Sequence, residues 1–119
     1  MAGGHSRGHA PPEVIRFSIH SRAMLAACHM PALRGGGLFV PTDEAYELND
    51  EVCLAVSIMN EPLIPVMGRV VWITPDGAVG HRTQGIGVQF EDDDHARLLR
   101  AHIAHFLPPA EQVVRSHTF

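Results

Sequence analysis

The sequence has few of the residues that electrostatic binding of nucleic acid or insertion into a membrane would require. Charged residues make up only 18% of its 119 residues, and the formal net charge is −4, which provides no attraction to nucleic acid or to anionic lipid. No apolar run approaches the roughly 18–20 residues that span a bilayer. Met1–Pro12 also lacks the apolar stretch of a signal peptide. We therefore expect a cytoplasmic protein that binds no nucleic acid and does not insert into a membrane.

Cysteine is equally scarce. The two cysteines, Cys28 and Cys53, each lie in an apolar run, and there is no CxxC motif, which predicts two reduced, buried thiols. Cys28 precedes His29, but neighbouring residues of a strand point to opposite faces and cannot easily form a thiolate–imidazole pair. The histidines near the C-terminus have no cysteine or carboxylate at a spacing that completes a tetrahedral zinc site. We therefore expect neither an enzyme nor a metal or other cofactor.

The chain is instead organised as short apolar segments separated by glycine, proline and polar turns. Its length predicts one domain, and its 45% hydrophobic content is that of a chain with a packed core. Met1–Pro12 is rich in glycine, histidine and proline and is predicted to be a disordered tail. Residues 13–108 are predicted to form the folded domain, and residues 109–119 a second tail.

Several segments alternate apolar and smaller or polar residues with a period of two, which indicates half-buried strands. Ala23–Met30 is alanine-rich and less periodic, so a helix competes with a strand there, although its short distance from the preceding strand favours a hairpin. Gly68 in the longest segment predicts a bulge or a bend, which would let a small sheet curl into a barrel. The other predicted strands are Val14–His20, Leu38–Val40, Glu51–Met59, Leu63–Thr74 and Gly85–Phe90.

One amphipathic helix is predicted after the last strand. Glu91–Asp94 supplies carboxylates that can cap the first amides of a helix, and Pro108 with Pro109 ends it. Between them, four apolar residues recur at helical spacing: Leu99, Ile103, Phe106 and Leu107. An apolar stripe of this kind must be buried against another element. The sequence therefore predicts a mainly β protein, a small antiparallel barrel with a helix packed on it.

Three segments, in this order, resemble the PilZ domain family. Gly35–Thr42 is similar to the glycine turn and following strand of the family, Gly68–Thr74 to its G-x-V-V-W strand, and Gly85–Phe90 to its closing G-I-G-V-Q-F strand. The resemblance covers about Val14–Leu107 and implies a six-stranded antiparallel β-barrel with one C-terminal α-helix. The triple glycine followed by L-F-V-P-T is most similar to the compact type IV pilus assembly proteins of the family.

Many proteins of that family bind cyclic di-GMP, through an R-x-x-x-R segment before the barrel and a [DN]-x-S-x-x-G turn. Here Gly37 matches the glycine of the turn, but Arg34 stands at the serine position and Ala32 at the acidic or amide position. The nearest match to the arginine pair begins at Arg16 and has only one arginine. These departures predict that the chain does not bind cyclic di-GMP. The alternative is a cyclic di-GMP receptor with an atypical site formed by Arg16, Arg34, Gly35, Gly36 and Gly37.

Without the nucleotide, the resemblance implies a monomeric, non-catalytic adaptor in type IV pilus biogenesis and twitching motility. Its partners would be a pilus extension ATPase of the PilB kind and an EAL-domain regulator of the FimX kind. Tyr46 and Trp72 are candidate partner-binding residues because aromatic side chains anchor interfaces, although the neighbours of Trp72 favour a place in the core. The first candidate is a predicted edge strand, which offers unpaired backbone groups. Its candidate residues are Leu25, Ala26, His29 and Met30.

Overall fold

The computed structural model describes residues 13–77 and 83–107. These residues form five strands and two helices. The predicted tails and most of the loop between residues 78 and 83 lie outside the described residues. No helix in the described part of the chain is long and apolar enough to cross a membrane. In chain order the elements are β1 (Glu13–Ile19), α1 (Arg22–Cys28), β2 (Gly37–Pro41), β3 (Glu51–Ile58), β4 (Ile64–Thr74), β5 (Gly85–Phe90) and α2 (Asp94–Phe106).

The strands form one curled sheet in the order β1-β3-β4-β5-β2. The pairs β3–β4, β4–β5 and β5–β2 are antiparallel, whereas β1 runs parallel to β3. Parallel neighbours need a long crossover connection, which α1 and β2 supply here. The mainly β fold and the C-terminal helix are confirmed. The prediction of a six-stranded antiparallel barrel with one helix is wrong, because the described residues form a half-barrel of five strands with two helices.

Helix α1 replaces the hairpin strand predicted over Ala23–Met30. Ser21 caps the helix, with its side-chain oxygen accepting a hydrogen bond from the Met24 amide at 3.0 Å, which satisfies one of the free amides of the first turn. Leu25 and Cys28 are buried on one side of the helix, at the i, i+3 spacing of a helical face. At His29 the backbone becomes extended, and this residue forms a β-bridge with Leu38.

The core lies on the inner face of the sheet, under α2. On β3 the residues Val52, Leu54, Val56 and Ile58 are all buried, as their alternation predicts. Asp93 caps α2, accepting a hydrogen bond from the Ala96 amide at 2.8 Å. The helix packs against β4. The predicted apolar stripe of α2 is confirmed, with Leu99, Ile103 and Leu107 buried and Phe106 half-buried.

A bulge in β4 decides which way its aromatic residue points. The register shifts between Val70 and Trp72, and not at Gly68, where the sequence predicts it. Gly68 is needed for close packing, because a Cβ there would lie 2.5 Å from a methyl carbon of Val88. After the shift Trp72 pairs with Gly87 and is 48% exposed. The preference for Trp72 in the core is therefore wrong.

Candidate functional site

The triple-glycine turn is fixed to the rest of the fold through its carbonyl groups. Gly35 and Gly36 have φ angles of 77° and 90°, in the left-handed region that glycine adopts without strain. Three successive carbonyl oxygens of the turn accept hydrogen bonds from β5 and α2, so the turn is held in one position. The bonds are Gln89 Nε2 to Arg34 O at 2.9 Å, Arg100 Nη1 to Gly35 O at 2.8 Å and Phe90 N to Gly36 O at 3.0 Å.

An open groove of about 720 Å³ lies beside this turn. Arg34, Gly35 and Gly36 line one side of the groove, and Arg100 and Ile103 of α2 line the other. The Arg100 side chain is half-buried and runs along Gly36, with its Cδ 3.3 Å from the place of a Cβ on that glycine. Arg34 is exposed. Two guanidinium groups therefore belong to one groove, which we call the Arg34–Arg100 groove.

The structure brings together only part of the predicted nucleotide site. Arg34, Gly35 and Gly36 line the groove, whereas Gly37 is buried in β2 and Arg16 is not among the lining residues. Arg16 is exposed on β1, and β1 and β2 are the two edge strands of the sheet. Sequence reasoning missed Arg100, because no motif links it to a turn 65 residues away. Its place on a face of α2 beside the apolar stripe was the only available signal.

Two of the predicted partner-binding residues meet on the outer face of the sheet. A Cβ on Gly87 would lie 2.9 Å from Cβ of Trp72 and 3.0 Å from Sδ of Met30, so both side chains border the space above that glycine. The half-buried ring of Phe39 lies over the neighbouring Gly85, 2.7 Å from the place of a Cβ. We call Met30, Phe39 and Trp72 the Met30–Trp72 surface. Phe39 was not among the partner-binding residues predicted from the sequence, although its alternation with Leu38 and Val40, both of which are buried, indicates an outward side chain.

The remaining candidates are less accessible. The predicted edge strand is absent, since Leu25 and Ala26 belong to α1. Leu25 is fully buried and therefore not on the surface, and Ala26 packs against the core. His29 is half-buried at the end of the Arg34–Arg100 groove.

Tyr46 joins its loop to β1. The ring is half-buried and packs against the core, and the side chain forms a hydrogen bond with Glu13. Burial, followed by the negative charge and the hydrogen bond of Glu13, raises the pKa of Tyr46 to about 12. These contacts give Tyr46 a structural role in holding the loop against the sheet.

The cysteines Cys28 and Cys53 and the histidine His102 are held in the fold by burial or by contacts between elements. Cys28 is buried, and burial raises the pKa of its thiol, which makes it a poor nucleophile at neutral pH. Cys53 is only half-buried, contrary to the sequence prediction. His102 Nδ1 lies 2.7 Å from Glu61 Oε1 and joins α2 to the turn after β3. Over residues 13–77 and 83–107, no three histidine, cysteine or carboxylate side chains are grouped as metal ligands.

Comparison with known proteins provides one further finding. A family model described as the PilZ domain matches residues 5–107 of the chain. The match includes every strand and helix described above. A search of curated proteins found no match.

Proposed function

The chain belongs to the PilZ domain family, whose domains bind cyclic di-GMP or act as adaptors and are typically non-catalytic, and we propose that it is an adaptor in type IV pilus biogenesis and twitching motility. In this role it binds a PilB-like pilus extension ATPase and a FimX-like EAL-domain regulator in the cytoplasm. It does not bind cyclic di-GMP itself. The observation that carries this proposal is the Met30–Trp72 surface.

An exposed tryptophan on a strand, held by a hydrogen bond, favours protein binding. Trp72 is 48% exposed, and its indole Nε1 donates a hydrogen bond to Thr74 Oγ1 at 2.9 Å, which holds the ring in one orientation. A held aromatic ring loses little conformational freedom when a partner covers it, and tryptophan is enriched among the residues that dominate binding energy. Met30 beside it has a flexible thioether that adapts to the partner's shape.

The surroundings of the glycine turn support the absence of nucleotide binding. The arginine pair and the acidic and serine positions of the family pattern are not reproduced, and Arg16 and Arg34 do not line one groove. A charge-assisted hydrogen bond contributes roughly 1.5–3 kcal/mol. The loss of several such bonds lowers affinity by about three decades or more, since each 1.4 kcal/mol is tenfold.

The adaptor function is tested by titrating the pilus extension ATPase with the wild-type protein and with Trp72→Ala. We expect binding by the wild type and at least about tenfold weaker binding by the variant, because truncation removes an interface anchor. Leu98→Ala is the matched control, since Leu98 is a similarly exposed apolar residue, at 47%, on α2. Thermal unfolding verifies that both variants fold. Absence of ATPase binding by the wild type, or equal effects of the two variants, would contradict the proposal.

The Arg34–Arg100 groove favours the second candidate function, a cyclic di-GMP receptor with an atypical site. Its two guanidinium groups and the glycine turn offer donors and close backbone approach to a phosphate. Titration with labelled cyclic di-GMP at physiological salt separates the two functions. We expect no binding in the micromolar range. Micromolar or tighter binding that Arg34→Ala abolishes would establish the receptor function instead.

A further inference from the structure

The Arg34–Arg100 groove combines positive charge with apolar walls on a protein whose net charge is −4. Arg34 and Arg100 supply two guanidinium groups. Asp92 is the one carboxylate in the lining, and its Oδ1 lies 3.6 Å from Nη1 of Arg97. Arg97 also pairs with Asp94, so it balances the charge of Asp92 only in part, and the lining itself holds two guanidinium groups against one carboxylate. The groove is therefore a local positive site, and its charge complements that of an acidic ligand.

Arg100 is oriented for binding before any ligand arrives. Its Nη1 donates to Gly35 O at 2.8 Å, and its half-buried stem lies along Gly36. A guanidinium has five N–H donors in a planar fork, so this single bond orients the group and leaves other donors for a carboxylate. Because the orientation is fixed in advance, little side-chain entropy is lost when a ligand binds.

The apolar part of the groove indicates what accompanies the acidic group. Half-buried Leu33 lies on the turn side and exposed Ala104 on the helix side, where Ile103 is only 3% exposed. Phe90 is also in the lining, but the residue is only 4% exposed, so it offers no free ring face on which a guanine could stack. Aliphatic walls next to two guanidinium groups suit an aliphatic side chain flanked by carboxylates.

We propose that the Arg34–Arg100 groove binds an acidic protein segment in which an aliphatic side chain lies between glutamate or aspartate residues. The aliphatic side chain packs between Leu33 and Ala104, and the carboxylates accept hydrogen bonds from Arg34 and Arg100. The inference rests on the proposed adaptor function, because the segment belongs to a protein partner. The groove and the Met30–Trp72 surface are then two separate contacts.

The proposal is tested with two synthetic hexapeptides, acetylated and amidated, of sequence LEELEE and LKKLKK. Each peptide is titrated into the full ¹⁵N-labelled chain while the amide resonances are followed by NMR. We expect LEELEE to shift the amides of Gly35, Gly36 and Gln89, and LKKLKK to leave them unchanged. Increasing salt is expected to weaken the binding of LEELEE, because exposed charge pairs are screened.

Two charge reversals locate the binding site. Arg34→Glu is expected to weaken LEELEE binding by about tenfold, since it replaces attraction by like-charge repulsion. Arg16→Glu makes the same change at an exposed arginine outside the groove and is expected to change the affinity by less than about twofold, because distant exposed charges are screened. Unchanged spectra with LEELEE, equal shifts with LKKLKK, or equal effects of the two reversals would overturn the proposal. So would shifts confined to the Met30–Trp72 surface.

The results of the ATPase and peptide titrations together distinguish the groove proposal from the adaptor function on which it rests. If Trp72→Ala weakens ATPase binding and LEELEE does not bind, the adaptor function stands and the groove proposal fails. If LEELEE binds at the groove and the ATPase does not bind the wild type, the acidic-segment site stands and the ATPase is not the partner. Micromolar binding of cyclic di-GMP at Gly35 and Gly36, in competition with LEELEE, would identify a nucleotide groove and reject the protein segment.

Discussion

At the scale of single residues, burial and partner groups determine what each side chain can do. Tyr46 was a candidate anchor for a partner, yet its ring packs on the core and its side chain bonds to Glu13. Trp72 was expected in the core, yet it is the most prominent aromatic group of the outer face. Both residues are aromatic and were candidates for partner binding from residue type alone. Their positions in the fold give Tyr46 a structural role and leave Trp72 exposed.

The burial of Tyr46, together with its contact with Glu13, predicts a loss of stability at alkaline pH. The pKa of Tyr46 is raised from 10.0 to about 12 in the folded protein, so the folded state holds the phenol proton more tightly than the unfolded state. Its contribution to stability is fully present below pH 10.0 and is lost as pH rises towards 12. We expect the melting temperature to fall less steeply between these pH values in Tyr46→Phe than in the wild type.

The control for this prediction is Glu13→Gln. It removes the charge and the carboxylate acceptor that raise the Tyr46 pKa, and it leaves the phenol in place. The fall in melting temperature is then expected to be intermediate. Cys28, whose pKa is also raised, keeps its own contribution to the pH dependence in all three proteins. An identical pH profile in the wild type and Tyr46→Phe would show that the phenol proton of Tyr46 does not contribute to the stability of the fold.

At the scale of elements, both helices begin with a capping side chain, but only one of them could be predicted from the sequence. Each has a capping side chain at its N-terminus, Ser21 in α1 and Asp93 in α2. For α2 the cap precedes an apolar stripe of several turns, and the element was predicted. Helix α1 has only 7 residues, too few for an apolar period to separate a helix from a strand, and the alternatives stayed open.

The cap of α2 provides a test at this scale. Asp93 Oδ1 accepts the hydrogen bond of the Ala96 amide, and loss of an N-cap acceptor costs about 1 kcal/mol. We expect Asp93→Ala to lower the free energy of unfolding in urea by about this amount. Asp93→Asn keeps an acceptor and is expected to leave the free energy of unfolding nearly unchanged, because asparagine and aspartate are about equally good N-caps.

Asp92→Ala is the control for charge alone, since it removes a neighbouring carboxylate that is paired with Arg97 and does not cap the helix. Surface pairs of this kind contribute about 0–1 kcal/mol. If Asp93→Ala and Asp93→Asn are equally destabilised, the cap hydrogen bond contributes nothing and the helix start is held by packing alone.

At the scale of the whole molecule, the sheet order decides which residues can act together. β1, which carries Arg16, lies at one edge of the sheet, and Arg16 is not among the residues that line the Arg34–Arg100 groove. The pairing of β2, β5 and β4 places Phe39 opposite Gly87 and Gly87 opposite Trp72, which assembles the outer surface. The packing of α2 brings Arg100 to the glycine turn. Both candidate surfaces therefore arise from contacts between residues that are distant in the sequence.

The sequence by itself determined the elements whose pattern repeats locally. The alternation of β3 and β5, the stripe of α2 and the three family segments were all readable, because each depends on residues a few positions apart. The tertiary structure alone decided that α1 is a helix, that β1 runs parallel to β3 and that Trp72 faces outward. It also decided that Arg100 lines the same groove as Arg34. Burial, register and strand partners depend on which distant segments pack together, and no local periodicity contains that information.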